Sequence, residues 1–146
     1  MKRILCIGLS ATAMLLANTS HADFTFHSSM SDACEFVSGK WTGSGKGSNW
    51  FVGECKYHGI GTISTLDATG HFKIDVSADK DSGSFLCPDH DERQLDGKCV
   101  NGVVTILTEF GDISGNFSQN SGTAQGTLSG MGIEFDVSAR FQRANA

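Results

Sequence analysis

The chain has 146 residues, of which 39% are hydrophobic and 18% are charged, and its 16 Asp and Glu residues outnumber its 11 Lys and Arg residues. This length predicts a single domain, and the hydrophobic fraction is too high for a disordered tail. The acidic balance disfavours a nucleic-acid-binding protein, because contact with a phosphate backbone needs a basic face.

The first 22 residues are predicted to be a secretory signal peptide. Lys2 and Arg3 form a charged start, an uncharged apolar run follows, and Ser20 and Ala22 place small residues at a cleavage site. The apolar run is short for a membrane-spanning helix, so no membrane span is expected after cleavage. The protein is therefore expected to be exported, either to the periplasm or to the medium.

The cysteines predict two disulfide bonds. Cleavage would remove Cys6 and two basic residues, which leaves four cysteines and a formal charge of −7 in the remaining 124 residues. An even cysteine count in an exported chain predicts disulfides, with three possible connectivities. We expect Cys34–Cys55 and Cys87–Cys99, because sequence neighbours meet most easily in antiparallel hairpins. No Cys-x-x-Cys pair occurs, so no metal site is expected.

Alternation of apolar and polar residues predicts several β-strands. The clearest lies at residues 133–142, where the odd-numbered positions are apolar, and residues 72–77 alternate in the same way. Residues 103–107 are apolar on both faces apart from Thr105, as in a central strand. Turn sequences separate these segments at residues 67–70, 79–83, 96–97, 101–102, 120–122 and 130–132.

Short strands at intervals of about ten residues predict an all-β fold built as an antiparallel meander. Closing the meander into a small barrel of about eight strands removes two exposed sheet edges, and the interior can be filled or can hold one small ligand. An outer-membrane barrel is the rival closure, but it needs aromatic girdles, and the chain has two Trp and one Tyr. We therefore predict a lead-in segment at residues 23–33 and one barrel domain at residues 34–146.

A short motif opens the first strong strand. Gly39-Lys40-Trp41 resembles the Gly-x-Trp opening of the calycin superfamily, the lipocalin and avidin-type barrels. The resemblance implies that Trp41 closes one end of the barrel and that an arginine near the last strand, Arg140 or Arg143, packs across it. Stacking of a guanidinium on an indole is worth about 0.5–2 kcal/mol.

Two polar segments are candidates for partner-binding loops. Residues 42–47 resemble the Ser-Gly-rich loop of periplasmic lysozyme inhibitors, and residues 88–93 carry the densest charge in the chain. The second segment could supply an acid–base histidine or a divalent-cation site, but a solvated loop within a crosslink also explains it. The candidate loop residues are Ser44, Lys46, Asn49, Asp89, His90 and Asp91.

Three functions are consistent with these features. The first expectation is an exported barrel that binds an apolar or amphipathic small molecule in a Phe-lined cavity open at one end. The alternative is a protein-binding module, such as an inhibitor of a secreted lysozyme-type enzyme or a host-interaction factor, whose acidic surface meets a basic partner. The third is a small hydrolase. No Gly-x-Ser-x-Gly elbow or spaced His pair occurs, so no catalytic residues and no cofactor are predicted.

Overall fold

The structure is a computed structural model that describes residues 23–30, 33–130 and 132–144. The predicted signal peptide lies outside these residues. The elements are β1 (Asp23–Ser28), a 3₁₀ helix (Ala33–Phe36), β2 (Gly39–Asn49), β3 (Gly53–Ile63), β4 (His71–Ser82), β5 (His90–Val100), β6 (Val103–Leu107), β7 (Gly111–Phe117), β8 (Ser121–Gly130) and β9 (Ile133–Arg143). None of the described residues forms a helix long and apolar enough to cross a lipid bilayer.

The strands close into one barrel in the order β1-β6-β5-β4-β3-β2-β9-β8-β7. The predicted all-β closed barrel with two disulfides is confirmed. The count is nine strands instead of about eight, and one neighbouring pair, β1 and β7, is parallel. All the other neighbouring pairs are antiparallel, as expected for a meander.

The ninth strand is β1, which lies between β6 and β7. Phe26 pairs with Val104 on the antiparallel side and with Gly115 on the parallel side. Consecutive strands β6 and β7 would otherwise each present an unpaired edge, and β1 covers both edges. Phe24 and Phe26 alternate with polar residues and pack against the core. The predicted lead-in segment therefore begins with a strand of the barrel wall.

Alternation correctly located β4 and β9, but two predicted turns are wrong. Residues 79–82 continue β4, and residues 96–97 lie inside β5. The reason for Gly97 is packing, because a Cβ atom at this position would overlap the ring of Phe72. A glycine within an alternating segment can thus mark a close approach of a side chain instead of a turn.

The two disulfides are Cys34–Cys99 and Cys55–Cys87, with Cα–Cα distances of 5.7 and 6.1 Å. The expected pairing between sequence neighbours is wrong. All of β2 lies between Cys34 and Cys55, and a strand of this length spans about 35 Å. Most of β5 likewise separates Cys87 from Cys99. Each bond instead joins residues at the same barrel end, and two disulfides suit an oxidising, exported environment.

Most of the buried core residues form two clusters with no residue in common. One lies at the end of the barrel where β2 begins and includes the Cys34–Cys99 disulfide. The other lies where β2 ends and β3 begins. The buried members of the first are Val37, Phe72, Cys99, Val104, Ile106 and Phe117, and those of the second are Val52, Cys55 and Cys87.

Candidate functional site

Trp41 is buried at the end of the barrel where β2 begins, which we call the closed end. The side chain is 7% exposed, and its indole N–H donates a hydrogen bond of 3.0 Å to the Val37 carbonyl. Its ring meets the ring of Phe141 edge to face, with 5.7 Å between centroids. This contact joins the first strand after the helix to the last strand of the barrel.

The guanidinium of Arg143 stacks on the Trp41 ring. Its Cζ lies 4.5 Å from the centroid of the Trp41 ring. The same guanidinium donates to the carbonyls of Ser38 at 2.9 Å and Gln119 at 3.1 Å, and also to the carbonyl of Phe36. Charged donors thus satisfy backbone acceptors from the helix, the segment before β2 and the β7–β8 turn.

The glycine of Gly39-Lys40-Trp41 has a direct physical role at this end. Gly39 has φ = +120°, a conformation that L side chains rarely adopt. A Cβ atom there would also lie 2.8 Å from Arg143 Nη1. Glycine therefore leaves room for the guanidinium that covers Trp41.

Arg140, the other arginine expected to pack across Trp41, does not take that role. Inward-facing positions of β9 are odd-numbered, so Arg143 faces the barrel axis and Arg140 faces outward. Arg140 pairs in register with Ser44 on β2 and Thr123 on β8. It lies on the outer wall of the barrel.

The opposite end is formed by the β2–β3 turn at residues 50–52 and the β4–β5 loop at residues 83–89, which we call the loop mouth. The Cys55–Cys87 disulfide ties the β4–β5 loop to the start of β3, three residues after the β2–β3 turn. Asn49 holds the turn, because its side-chain carbonyl accepts the backbone N–H groups of Phe51 at 2.7 Å and Val52 at 3.3 Å. Its amide donates to the Glu134 carbonyl at 2.7 Å, which joins the turn to β9.

Four large apolar side chains on these two loops are exposed. Trp50 is 93% exposed and Phe51 67%, while Phe85 is 91% exposed and Leu86 44%. We call these four residues the aromatic mouth. Val52, between Phe51 and β3, turns inward and packs on the Cys55–Cys87 disulfide. The loops therefore use one apolar residue as an anchor and present the others to solvent.

Carboxylates outnumber basic groups around the loop mouth. Residues 46–58 and 79–93, the two arms that carry the loops, contain six Asp and Glu residues against four Lys and Arg residues. Glu134, whose backbone carbonyl accepts the hydrogen bond from Asn49, adds a carboxylate beside the β2–β3 turn. Lys80 Nζ lies 2.8 Å from Asp89, and this hydrogen bond and charge lower the pKa of the Asp89 carboxyl.

Of the predicted loop residues, Ser44 and Lys46 lie on the outer face of β2 instead of on a loop. The segment 42–47 is the middle of that strand. Its glycines face inward, where Gly45 pairs with Ala139, and a Cβ atom at Gly45 would lie 3.1 Å from the Ala139 Cβ. These glycines therefore reflect close packing between β2 and β9.

Asp89 is the last residue of the β4–β5 loop, as expected, whereas His90 and Asp91, also expected in a loop, are the first residues of β5. Asp91 pairs with the side chain of Arg93 at 2.9 Å. His90 Nδ1 lies 2.7 Å from Asp79 on β4, and Nε2 lies 3.3 Å from Glu92. Within the described ranges, no group of three or more His, Cys, Asp or Glu side chains is arranged to hold a metal ion.

The hydrogen bonds that the His90 ring donates to the carboxylates of Asp79 and Glu92 raise the pKa of His90 above its ordinary value. A raised pKa in the folded state means that the protonated imidazole contributes to stability. That contribution is complete below the ordinary pKa of histidine and is lost as the pH rises through the raised value. Because His90 is exposed, the effect is screened by solvent.

Asp79→Asn is expected to return the pKa of His90 toward its ordinary value, because the first of its two carboxylate partners loses its charge. An NMR titration of the His90 ring protons measures the pKa directly. Asp75→Asn is the matched control, because Asp75 is an outward carboxylate on the same strand that accepts a hydrogen bond from Gln94 instead. A wild-type titration at the ordinary histidine value would contradict the prediction.

The aromatic mouth was not predicted from the sequence as a site. A local signal is present, since Trp50, Phe51 and Val52 are three consecutive apolar residues at a hairpin turn, where polar residues are usual. Phe85 and Leu86 likewise follow Gly83 and Ser84 in a loop. Large apolar residues at turn positions are candidates for binding, because the fold gives them no core to enter.

The two ends of the barrel therefore differ in kind. The closed end buries its Trp and satisfies the Arg143 guanidinium with three carbonyl groups, whereas the loop mouth exposes its aromatic side chains.

No protein-family model, curated protein or solved structure matches this chain.

Proposed function

We propose that the protein is an exported protein-binding module that docks its aromatic mouth onto a partner whose apolar cleft is flanked by basic groups. On this proposal it acts by binding and not by catalysis. The partner class with this charge is a secreted basic enzyme of the lysozyme type or a basic host protein. The predicted signal peptide and the two disulfides support a periplasmic or secreted location.

The observation that carries the proposal is the exposure of Trp50 and Phe85, at 93% and 91%, on two loops at the same end of the barrel. Burial of such residues at an interface yields a large gain in free energy, and Trp is enriched among the residues that dominate binding. Grouped exposed apolar side chains on a globular protein commonly mark an interaction surface.

The loops are also held in place before any partner arrives. Gly83 packs directly on the start of β3, where a Cβ atom would lie 3.0 Å from the Cys55 Cα and 3.1 Å from the Glu54 carbonyl. Lys80 Nζ donates to the carbonyls of Ser84 and Cys87, both at 3.2 Å. A loop that is already ordered loses little conformational entropy on binding, so more of the interface energy appears as affinity.

The acidic surroundings of the mouth support a basic partner. The carboxylates near the loops give an attractive field for a cationic surface, which speeds association and disfavours acidic partners. Glu54 is the nearest of these to the disulfide, and it is shared between Lys46 at 3.9 Å and Lys56 at 3.6 Å. Exposed pairs of this kind are weak and can exchange for a partner's basic groups.

As part of the proposal we place the barrel in the calycin type. Three residues that the resemblance implies support this placement. Gly39, Trp41 and Arg143 lie in contact at the closed end of the barrel, where a 3₁₀ helix precedes β2. In this arrangement the plug closes one end and leaves the loops of the opposite end for recognition.

Replacement of both Trp50 and Phe85 by serine is expected to weaken partner binding by about thirtyfold or more, since a hot-spot residue contributes at least about 2 kcal/mol. A basic C-type lysozyme is the first probe, measured by biolayer interferometry at low and at physiological salt. The exported proteins of the native host are the second probe, captured and quantified by mass spectrometry.

Val100→Ser is the matched control for this experiment. Val100 is also an exposed apolar residue, at 46%, but it lies at the end of β5 on the closed end of the barrel. The control should bind as the wild type does, and binding should weaken as salt rises. Equal partner capture by the wild type and the double serine variant would overturn the proposal.

Binding of an apolar or amphipathic small molecule inside the barrel is a second candidate, favoured by the small residues that separate the two core clusters. Inward positions there include Gly59 and Ala78, which pair with each other, and inward Val76 and Val137 are only half-buried. Native mass spectrometry of the protein purified from its own host distinguishes the candidates, since a retained small molecule favours the interior site and a bound protein favours the loop mouth.

A further inference from the structure

A groove on the outer wall of the barrel is independent of the loop mouth. It crosses β2, β9, β8 and β7 and has a volume of about 760 Å³. This volume lies in the range of sites that bind small molecules. Its polar lining includes Thr42, Ser44, Asn116, Thr123, Arg140 and Gln142, and its floor is formed where Gly43, Phe141 and Gly122 pair across the strands.

The charge of the groove is opposite to that of the protein. Arg140 is the one charged residue among those that line it, in a chain with five more acidic than basic groups. Among the described residues, the Arg140 guanidinium has no ion pair and no hydrogen bond. Its register partners, Ser44 and Thr123, are both neutral hydroxyl residues. Arg140 is therefore an exposed cation without a counterion among the described residues, and it stands on the strand at the centre of the groove, between Ser44 and Thr123.

The neighbours of Arg140 narrow the class of ligand. Hydroxyl and amide side chains both donate and accept hydrogen bonds, as sugar hydroxyls do. One guanidinium matches one carboxylate in a bidentate pair, whereas a doubly charged phosphate would leave charge uncompensated. The backbone of Gly43, Phe141 and Gly122 lies between the polar side chains, so no inward-facing ring takes part in the groove.

We propose that this groove binds an acidic saccharide, with the carboxylate of a uronic acid unit on Arg140 and the sugar hydroxyls on the surrounding Ser, Thr, Asn and Gln side chains. The residues that hold it stand on four paired strands, so the site is built into the barrel wall. It lies apart from the aromatic mouth, and either site can exist without the other.

Arg140→Gln is expected to weaken binding of a uronic acid trisaccharide by at least about tenfold, because the charged, bidentate donor is lost. Trigalacturonate is the probe, with binding followed by NMR chemical shifts of the groove residues. Lys98→Gln is the matched control, because Lys98 is an exposed cation on β5, on the far side of the barrel, and has no ion pair in the described part of the chain. Its binding should equal that of the wild type.

Thr123→Val is the second variant, because it removes one hydroxyl, keeps the branched shape that suits a strand and leaves Arg140 unchanged. It should weaken trigalacturonate binding by about threefold. Neutral maltotriose and inorganic phosphate should each bind more weakly than trigalacturonate. Equal binding of either compound, no effect of Arg140→Gln, or shifts outside the groove would overturn the proposal, as would the absence of any binding.

Discussion

Replacement of Trp41 by alanine is expected to lower the free energy of unfolding by about 3–5 kcal/mol, the usual cost of removing a large buried aromatic side chain. The change removes the hydrogen bond to Val37 and the edge contact with Phe141. It also leaves Arg143 above an empty space, without the ring on which it stacks. Urea denaturation followed by circular dichroism measures the change.

Trp50→Ala is the internal control for this measurement. Trp50 is 93% exposed, so its replacement should change the free energy of unfolding by less than about 0.5 kcal/mol. The contrast separates the two Trp residues by role, since Trp41 contributes to stability and Trp50 contributes to binding under the proposed function. A similar small cost for both variants would show that Trp41 does not close the barrel.

Removal of the Cys34–Cys99 disulfide, with both residues replaced by alanine, is expected to cost about 4 kcal/mol. The bond closes a loop with a sequence separation of 65, so its loss frees a large part of the unfolded chain. Alanine is the better substitute, because Cys99 is buried and serine would bury a hydroxyl group. Thermal and urea unfolding of the variant and the wild type measure the difference.

The connectivity itself can be checked on the same protein. Proteolysis without reduction, followed by mass spectrometry, should release peptides that link Cys34 to Cys99 and Cys55 to Cys87. A peptide that links Cys34 to Cys55 would contradict the structure. Such a bond would require contact between residues that the length of β2 holds at opposite ends of the barrel.

Local alternation was sufficient to locate β4 and β9. In β9 the inward positions are odd, from Ile133 to Arg143. The same parity could have selected Arg143 over Arg140 as the residue that covers Trp41, because a strand sends successive side chains to opposite faces. The resemblance implied either arginine. Arg143 lies two residues after the inward-facing Phe141 and shares its face of β9, whereas Arg140 precedes Phe141 and lies on the opposite face.

Glycine residues were the least reliable indicators of loops and turns. The glycines of residues 42–47 and Gly97 indicated loops or turns, yet they stand in β2 and β5 opposite bulky or closely packed neighbours. A sequence shows that a side chain is absent but does not show which neighbour occupies the space. The cause lies on another strand, Ala139 in one case and Phe72 in the other.

The amino-acid order alone was enough for the fold class and the number of disulfides, because both depend on composition or on patterns a few residues long. Four features depend instead on which distant strands become neighbours. They are the pairing of the cysteines, the position of β1 between β6 and β7, the placement of the loops of Trp50 and Phe85 at one end, and the position of Arg140 in a groove. Which strands become neighbours is decided when the barrel closes, because every strand edge must then pair with another strand.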